Sequence, residues 1–324
     1  MARAIRIHET GGPEVMVMEE IAVPAPEPGM VTVANRAIGL NYIDTYHRSG
    51  AYPIPLPSGI GLEGAGVVEA VGEGVTEFKP GDRIAYASPP VGAYAEVRLI
   101  PADRVVALPD AIDDRTAAAM MLQGMTAQYL LRRTYRVQPG DAILLHAAAG
   151  GVGLIASQWA RHLGATVIGT VGSEEKAELA RAHGCHHTIL YNRENFVERV
   201  REITGGQGVV VVYDSVGKDT FMGSLDCLRP LGMMVSFGNA SGPVPPFEPG
   251  ILAAKGSLFF TRPTLMTYTA QRADLLASAA ELFEVVSSGA VRIEVRQTYP
   301  LAETARAHRD LEARQTTGST VLLP

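Results

Sequence analysis

The chain of 324 residues contains only two cysteines, Cys185 and Cys227. Two thiols cannot build the disulfide framework of a small secreted protein, so a reducing cytoplasm is the expected location. Long apolar runs are also missing, because no segment approaches the ~18 apolar residues that cross a bilayer. The first residues enter an alternating strand pattern directly and lack the apolar centre of a signal peptide.

The chain also has fewer basic residues than acidic ones. The chain has 28 Lys and Arg against 34 Asp and Glu, which gives a net charge of -6. Broad binding to nucleic acid or to an anionic membrane needs a basic surface, and no stripe of basic and aromatic residues supplies one. With 47% hydrophobic and 19% charged residues, the composition is that of a globular protein. The length favours two domains.

Residues 2 to 107 carry a β-strand signal. Short alternating runs, such as Ala4–Ile7, Met30–Val33 and Gly66–Val71, are separated by proline and glycine. Many short strands with turn residues at this spacing favour a barrel or a folded sheet over a parallel sheet. This region therefore predicts a β-rich first domain.

From Asp113 onward the pattern changes to alternating strands and helices. The predicted strands are Ala142–Ala147, Ala165–Thr170, Thr188–Leu190, Val209–Tyr213, Met233–Phe237 and Ser257–Phe260. The predicted helices between them are Gly151–Leu163, Glu174–His183, Asn195–Ile203 and Thr220–Leu228. This alternation predicts a doubly wound parallel sheet, an α/β fold of the Rossmann type.

The turn between the first of these strands and its helix is rich in small residues. Ala148, Gly150 and Gly153 occupy the three glycine positions of the dinucleotide fingerprint, with alanine in the first. In that fingerprint the glycines permit the turn, the approach of a pyrophosphate and the packing of helix on strand. The sequence predicts a dinucleotide site here.

Three further elements are predicted in the last sixty residues. Two amphipathic helices, Ala270–Ser288 and Leu301–Arg314, flank a strand at Val291–Val295. Ser319–Leu323 closes the chain as a strand that is most simply housed in the first domain.

Several motifs together resemble the zinc-free quinone oxidoreductases of the medium-chain dehydrogenase/reductase superfamily, the group that includes zeta-crystallin. They are Gly11–Val15, Gly39–Asp44, Gly61–Gly66, Pro80–Arg83, Gly92–Glu96, His146–Gly153, Val212–Gly217 and Ser236–Asn239. The resemblance implies a GroES-like catalytic domain interrupted by a Rossmann domain. The expected boundaries are residues 1–122 and 265–324 for the GroES-like domain, and 123–264 for the Rossmann domain.

The resemblance also implies that no metal takes part. Asn41 and Leu62 stand where zinc-dependent relatives have a thiolate and a histidine, and neither is a suitable zinc ligand. The cluster of His183, Cys185, His186 and His187 is instead interpreted as a surface turn, with Gly184 ending the preceding helix.

NADPH is the expected cofactor. The second strand of the α/β region ends without the acidic residue that usually holds the ribose of NAD. A turn of Gly172 and Ser173, with Lys176 one helical turn later, can accept a 2′-phosphate, and the resemblance adds Tyr191. Ser173 is also a good helix N-cap.

The remaining site residues follow from the resemblance. The substrate would meet three residues of the catalytic domain, namely Asn41, Tyr46 and Tyr52. The cofactor would contact Asn41, Gln123, Thr126, Gly150, Gly151, Val152, Ser215, Phe237, Gly238, Asn239, Phe260, Thr261, Arg262 and Arg314. Taken alone, an arginine at the position of Arg314 is more often a cation that interacts with the dipole at a helix end.

The expected activity is reduction of a small-molecule quinone by NADPH, with transfer of electrons or hydride in the interdomain cleft. A quinone delocalises incoming charge, so hydrogen-bond donors can replace a Lewis acid. Reduction of the double bond of an α,β-unsaturated carbonyl is one alternative. An NADPH-binding protein with a structural or RNA-binding role is another, which the acidic balance disfavours. The resemblance further suggests a homodimer that forms through the Rossmann domain.

Overall fold

The computed structural model describes all residues from Met1 to Pro324. The chain divides into two compact units. The first contains residues 1–125, 269–287 and 293–324, and the second contains residues 126–268 and 288–292. The sequence boundaries at 122/123 and 264/265 lie three and four residues before the observed ones. Residues 288–292, expected in the first domain, belong to the second.

The first unit begins with eight strands and one helix. In chain order they are β1 (Ala2–Ile7), β2 (Val17–Ile21), β3 (Met30–Leu40), α1 (Tyr42–Ser49), β4 (Ser58–Gly59), β5 (Glu63–Val71), β6 (Arg83–Ala87), β7 (Val97–Pro101) and β8 (Val106–Ala107). Short 3-10 turns lie at Pro13–Val15 and Ala102–Arg104. Helix α1 was not predicted from the sequence, where this stretch was interpreted as part of a β-rich region.

The next elements along the chain are α2 (Asp114–Ala118), α3 (Met121–Tyr129), β9 (Ala142–Leu145), α4 (Gly151–His162), β10 (Thr166–Val171), α5 (Glu174–Ala182), β11 (His187–Leu190), α6 (Phe196–Ile203), β12 (Val209–Asp214), α7 (Phe221–Cys227), β13 (Leu228–Ser236), α8 (Gly250–Ala254), β14 (Phe259–Thr261) and α9 (Leu265–Tyr268). Helix α2 belongs to the first unit, α3 crosses into the second, and the next six strands belong to the second. A π-helical turn, Leu130–Thr134, continues α3 within the second unit.

The last elements are α10 (Arg272–Ser287), β15 (Val295–Pro300), a 3-10 turn (Leu301–Glu303), α11 (Thr304–Glu312) and β16 (Ser319–Leu323). The strand predicted at Val291–Val295 was placed wrongly, because the observed β15 begins where that prediction ended. The side chains of the observed β15 alternate between half-buried and exposed from Val295 to Pro300, as in a strand with one covered face.

A six-stranded parallel sheet organises the second unit. Its strand order is β11-β10-β9-β12-β13-β14. Numbered within the unit, this is the 3-2-1-4-5-6 order of a Rossmann fold, so the predicted α/β class is confirmed. The valine-rich strand β12 lies inside this sheet and is buried along its whole length, as expected for a parallel strand covered on both faces.

A seven-stranded sheet and a three-stranded sheet organise the first unit. In the larger sheet the C-terminal strand β16 pairs antiparallel with β3, with Thr320 opposite Leu40. The predicted return of the last strand to the first domain is therefore confirmed. This pairing also brings Ser319 next to the end of β3, immediately before Asn41.

Candidate cofactor and substrate site

The turn between β9 and α4 leaves backbone N–H groups available at the start of a helix. Gly150 is the N-cap of α4, and no side chain caps the first turn. Ala147 has a left-handed backbone with φ of 54°, and its carbonyl accepts from the N–H of Gly150 at 2.9 Å. The uncapped start of a helix, with its partial positive charge, suits a pyrophosphate.

Two of the three glycines in this turn, Gly150 and Gly153, have different surroundings. A Cβ on Gly153 would lie 2.4 Å from the carbonyl oxygen of Ala147, so this glycine permits α4 to pack on the turn. A Cβ on Gly150 would meet only that same oxygen, at 3.2 Å. The φ of Gly150 is -80°, which any residue adopts, so packing explains little of the choice of glycine there.

Alanine in the first fingerprint position also has a structural explanation. Ala148 is buried, and its N–H donates to the carbonyl of Thr170 in β10 at 3.1 Å. A Cβ on Gly169 would lie 2.6 Å from the methyl group of Ala148. Because Gly169 has no side chain, the methyl group of Ala148 fits at the position where the fingerprint usually has glycine.

The predicted 2′-phosphate residues lie together beyond β10 and β11. Ser173 is the N-cap of α5, and its Oγ accepts from the backbone N–H of Lys176 at 3.2 Å. A Cβ on Gly172 would lie 2.8 Å from the hydroxyl of Tyr191. Asn192, which sequence reasoning missed, donates from Nδ2 to the carbonyl of Gly172 at 3.0 Å.

Charges of both signs surround this end of the sheet. Glu174 and Glu175 lie in the first turn of α5, where the helix dipole favours them. Arg193 lies 3.8 Å from the Glu174 carboxylate, with both side chains largely exposed. An exposed pair at this distance contributes little to stability, so Arg193 remains available to an anion. Nothing in the sequence pattern singled it out.

The loops after β12 and β13 bring together two predicted residues. A Cβ on Gly238 would lie 2.6 Å from the carbonyl oxygen of Ser215. Ser215 in turn accepts from the N–H of Ala240 at 3.1 Å. The preceding buried Asp214 accepts from the N–H groups of Val216 and Gly217, at 2.8 and 3.0 Å. These contacts hold Ser215, Phe237, Gly238 and Asn239 at the carboxyl ends of neighbouring strands.

A buried histidine supports the glycine turn from behind. His146 contacts Thr170 through Nδ1 at 2.9 Å and Ser224 through Nε2 at 3.0 Å. Ser224 donates to the Asp214 carboxylate at 2.9 Å. Burial lowers the pKa of His146, so the ring is neutral and links β9, β10 and α7.

The cofactor residues predicted around β14 have mixed roles. The ring of Phe260 packs against Phe221 and Phe247, with centroids at 5.8 and 5.3 Å. Its side chain therefore serves the core of this unit. Thr261 is half-buried and Arg262 is exposed at the end of the strand. Thr126, in α3, is buried.

In the first unit, Asn41 lies at the junction of two buried carboxyl groups. It precedes α1, and its backbone N–H donates to Oδ2 of Asp44 at 2.9 Å. Its side-chain Nδ2 donates to Oε2 of Glu63 at 2.6 Å. Burial raises the pKa of Asp44 to about 7 and that of Glu63 to about 8.

Gln123 belongs to the same cluster. Its Nε2 donates to Oδ1 of Asn41 at 3.1 Å. The sequence placed Asn41 and Gln123 in one site through the family resemblance, and the structure joins them directly. The sequence indicates Glu63 only as part of a motif, although the residue is fully buried and contacts Asn41.

The predicted tyrosines form an aromatic cluster on α1 and the loop after it. The ring centroids of Tyr46 and Tyr52 are 5.0 Å apart, and those of Tyr42 and Tyr46 are 5.4 Å apart. Tyr42 was not predicted as a site residue. Burial raises its pKa, and the charge of Arg314 opposes that rise. Arg314 itself is exposed just beyond α11, with φ of 60°.

The histidine-rich segment after α5 is a capped turn, as predicted, but only His186 and His187 lie at the surface, since His183 and Cys185 are buried. Gly184 has a left-handed φ of 104°, and the N–H of Cys185 donates to the carbonyl of Ala180 at 3.0 Å. His183 and His186 each use Nδ1 in a hydrogen bond to the backbone. In the whole chain, no group of three or more His, Cys, Asp or Glu side chains could hold a metal ion. No helix is long and apolar enough to cross a membrane.

Comparison with known proteins agrees with this architecture. Residues 27–110 match the alcohol dehydrogenase GroES-like domain, and residues 151–283 match the zinc-binding dehydrogenase family. Together with the strand order, these matches assign the chain to the medium-chain dehydrogenase/reductase superfamily.

Full-length relatives narrow this assignment. A quinone oxidoreductase of Pseudomonas aeruginosa is 58% identical, with all of both chains covered. The crystal structure of Escherichia coli quinone oxidoreductase complexed with NADPH has 51% identity and a TM-score of 0.98, again over all of both chains. A 2-haloacrylate reductase of a Burkholderia species is 52% identical over all of this chain and 99% of its own. The chain belongs to the quinone oxidoreductase family and is an oxidoreductase.

Proposed function

We propose that the protein reduces quinones with NADPH as the electron donor. The observation that carries this proposal is the end of β10, where Gly172, Ser173 and Tyr191 surround a turn that has no acidic side chain before α5. The similar Escherichia coli quinone oxidoreductase, whose structure contains NADPH, supports it. When bound, NADPH would supply two electrons and one proton, and water can supply the second proton that a quinone needs.

The second unit has the groups that such a cofactor requires. The uncapped N–H groups of α4 would hold the pyrophosphate beside Gly150, where no Cβ obstructs it. Ser173 accepts from a backbone N–H through its oxygen, which leaves its hydroxyl hydrogen to donate to the 2′-phosphate. Lys176, Tyr191 and Arg193 would add charge and a further hydroxyl.

The first unit supplies the groups for the acceptor. Asn41 uses one N–H on Glu63, and its side-chain oxygen accepts from Gln123 and, in the capping box of α1, from the Asp44 N–H, so one N–H remains for a ligand. Tyr46 and Tyr52 are half-buried and would present aromatic surface and hydroxyl groups to a flat ring. These residues would orient the quinone, and the quinone ring would delocalise the incoming charge.

We also propose a homodimer that forms through the second unit. Strand β14 lies at the edge of the parallel sheet, so its outer backbone groups have no strand partner. Phe259 on this edge is 57% exposed. An exposed apolar edge strand favours pairing with a second copy of the chain.

Steady-state assays with 1,4-benzoquinone test the proposed activity. We expect NADPH oxidation to depend on the quinone, and NADH to be used at least tenfold less efficiently in kcat/KM. Tight NADPH binding without turnover of any quinone or enone would overturn the enzymatic proposal. Equal efficiency with both nucleotides would overturn the assignment of Ser173, Lys176 and Tyr191.

A second candidate activity is the reduction of a conjugated carbon–carbon double bond. The 52% identity to a 2-haloacrylate reductase favours it. The same donor groups of Asn41 and the tyrosines could hold a carboxylate or carbonyl oxygen. An assay with 2-chloroacrylate beside 1,4-benzoquinone separates the two, since the better acceptor will have the higher kcat/KM.

A further inference from the structure

Glu63 is a buried carboxyl group without a cationic partner. It is fully buried at the start of β5, and its Oε1 and Oε2 accept from the Leu122 N–H at 2.8 Å and from Asn41 at 2.6 Å. A Cβ on Gly39 would lie 2.2 Å from Oε2, so the glycine makes room for the carboxyl group. The ionisable groups that act on Glu63 are Asp44 from α1, Tyr86 from β6 and Tyr94 from the following loop.

The hydrogen bonds that start at Glu63 have one direction. An ionised carboxylate can only accept, so Asn41 turns its amide nitrogen toward Glu63 and its oxygen toward Gln123. Gln123 then turns its own oxygen toward Ser319, at 2.7 Å from Oγ. Ser319 also lies 2.8 Å from the carbonyl oxygen of Ala119. Because the hydroxyl has a single hydrogen, it satisfies only one of these two acceptors at a time.

A proton on Glu63 would favour the opposite direction. The protonated Oε2 would donate to the oxygen of Asn41, which requires the Asn41 amide to turn over and to give up the capping-box hydrogen bond that it accepts from the Asp44 N–H. The Asn41 nitrogen would then donate to the Gln123 oxygen, and the Gln123 nitrogen to Ser319. Ser319 would be left to donate to Ala119 alone. If only one of the two amides turned, Asn41 and Gln123 would face each other with two N–H groups or with two oxygens, and no hydrogen bond would form between them. The two amides must therefore turn together.

We propose that Glu63 is a positioning residue whose ionisation fixes the orientation of the Asn41 amide. The inference rests on the proposed function in one respect, namely that Asn41 contacts the acceptor. The ionised arrangement is the one in the structure. In this ionised arrangement, Asn41 presents its remaining N–H to a ligand. In the reversed arrangement, a lone pair of the Asn41 oxygen takes the place of that N–H. A quinone oxygen needs the N–H.

Side-chain amide NMR tests this inference without any substrate. In protein labelled with 15N at Asn and Gln, the Asn41 and Gln123 amide signals should both change with a common midpoint, because burial raises the pKa of Glu63 to about 8. Loss of the corresponding signal in Asn41→Ala and in Gln123→Ala assigns each. In Glu63→Gln the new amide donates to Asn41 at every pH, so the Asn41 signal should resemble that of wild type at low pH throughout.

Kinetics provide the second readout. At pH 9 we expect kcat/KM of Glu63→Gln for 1,4-benzoquinone to be roughly tenfold below wild type, about the value of one substrate hydrogen bond. At pH 6 the two enzymes should converge. The matched control is Glu96→Gln, which removes a carboxylate that pairs with Arg3 in the same unit and should leave the pH profile unchanged.

Ser319→Ala gives an independent test should Glu63→Gln fail to fold. The reversed arrangement loses its acceptor for Gln123, so the common midpoint should move to lower pH. Amide signals of Asn41 and Gln123 that do not titrate together in wild type would overturn the inference. An upward shift in Ser319→Ala would also overturn it. If wild type reduces no quinone but the amides titrate as described, the proposed function fails while the positioning role of Glu63 stands.

Discussion

Replacing Gly150 or Gly153 in the β9–α4 turn by alanine separates cofactor binding from packing. In Gly153→Ala the new methyl group would lie 2.4 Å from the Ala147 oxygen and 2.7 Å from the Ala148 carbonyl carbon. Overpacking against backbone costs about 1–3 kcal/mol, and the better helix propensity of alanine returns at most about 1 kcal/mol. We therefore expect the free energy of unfolding to fall by about 1–2 kcal/mol.

Gly150→Ala should behave in the opposite way. Its φ of -80° suits alanine, and its one close contact, at 3.2 Å, needs a shift of only a few tenths of an ångström. The lower entropy of the unfolded chain and the poorer N-cap nearly cancel, so stability should stay within about 1 kcal/mol of wild type. The methyl group would stand where the pyrophosphate approaches. We expect the Kd for NADPH to rise by about ten- to a hundredfold, which corresponds to roughly 1.4–2.7 kcal/mol.

Urea unfolding and titration of NADPH fluorescence measure these two quantities on the same preparations. Each variant is the matched control for the other, because both add one methyl group to the same turn. A loss of stability in Gly150→Ala with unchanged affinity would refute the reasoning. Equal loss of affinity in both variants would also refute it, since Gly153 would then be a cofactor residue as well.

Three further predictions concern other parts of the chain. Lys176→Ala should raise the Kd for NADPH by about tenfold and leave the Kd for NADH unchanged. The control Lys79→Ala, at an exposed lysine, should change neither Kd. Equal losses of affinity for both nucleotides in Lys176→Ala would contradict a 2′-phosphate contact. Glu63 has a pKa raised from 4.5 to about 8, so its contribution to stability is complete below pH 4.5 and is lost as the pH rises through 8. The contribution of Glu63 to the free energy of unfolding should thus fall by up to about 3 kcal/mol between pH 6 and pH 9. In urea unfolding, Glu63→Gln should remove this part of the fall and leave the smaller part that comes from Asp44, whose pKa burial raises to about 7. Phe259→Glu should convert the proposed dimer to a monomer in light scattering, and an unchanged mass would contradict an interface at β14.

The fold of the second unit could be predicted because its sequence pattern is periodic. Valine-rich strands alternate with amphipathic helices, and most observed bounds differ from the predicted ones by one or two residues. The exception is β13, which begins at Leu228, five residues before the predicted Met233. Pro230 and Gly232 lie in that early part and obscured the strand pattern, since both residues are depleted in strands.

The first unit was harder to predict. Helix α1 has only eight residues and stands between strands, so the helical period had too few turns to show. The pair of Asn41 and Asp44 is a signal that could have found it, because an asparagine followed three residues later by an acid is close to a capping box. The predicted strand began too early because it included the apolar residue Val291. Val291 is fully buried, but it belongs to the second unit and not to β15.

Most of the residues that sequence reasoning missed at the site share one physical feature, which is that their role depends on a long-range contact. Glu63 and Ser319 reach the Asn41 cluster from β5 and β16, and no local period or spacing relates them to Asn41. Arg193 reaches the start of α5 through a loop. By contrast, Ser173 and Gly150 act through helix ends next to them in sequence, which is why the motif and the turn residues identified them.

The position of Asn41 between two carboxyl groups also has an energetic meaning. Asp44 and Glu63 are both fully buried, and burial raises both pKa values, so each carboxylate costs folding energy at neutral pH. The cost would be smaller with amides at both positions, since an amide satisfies the same backbone N–H groups without a charge. An amide at residue 63, however, can donate to Asn41 as well as accept from it, whereas an ionised carboxylate can only accept. A carboxylate leaves the Asn41 amide a single orientation above its pKa, and a site that must present an N–H to an acceptor needs that restriction more than it needs stability.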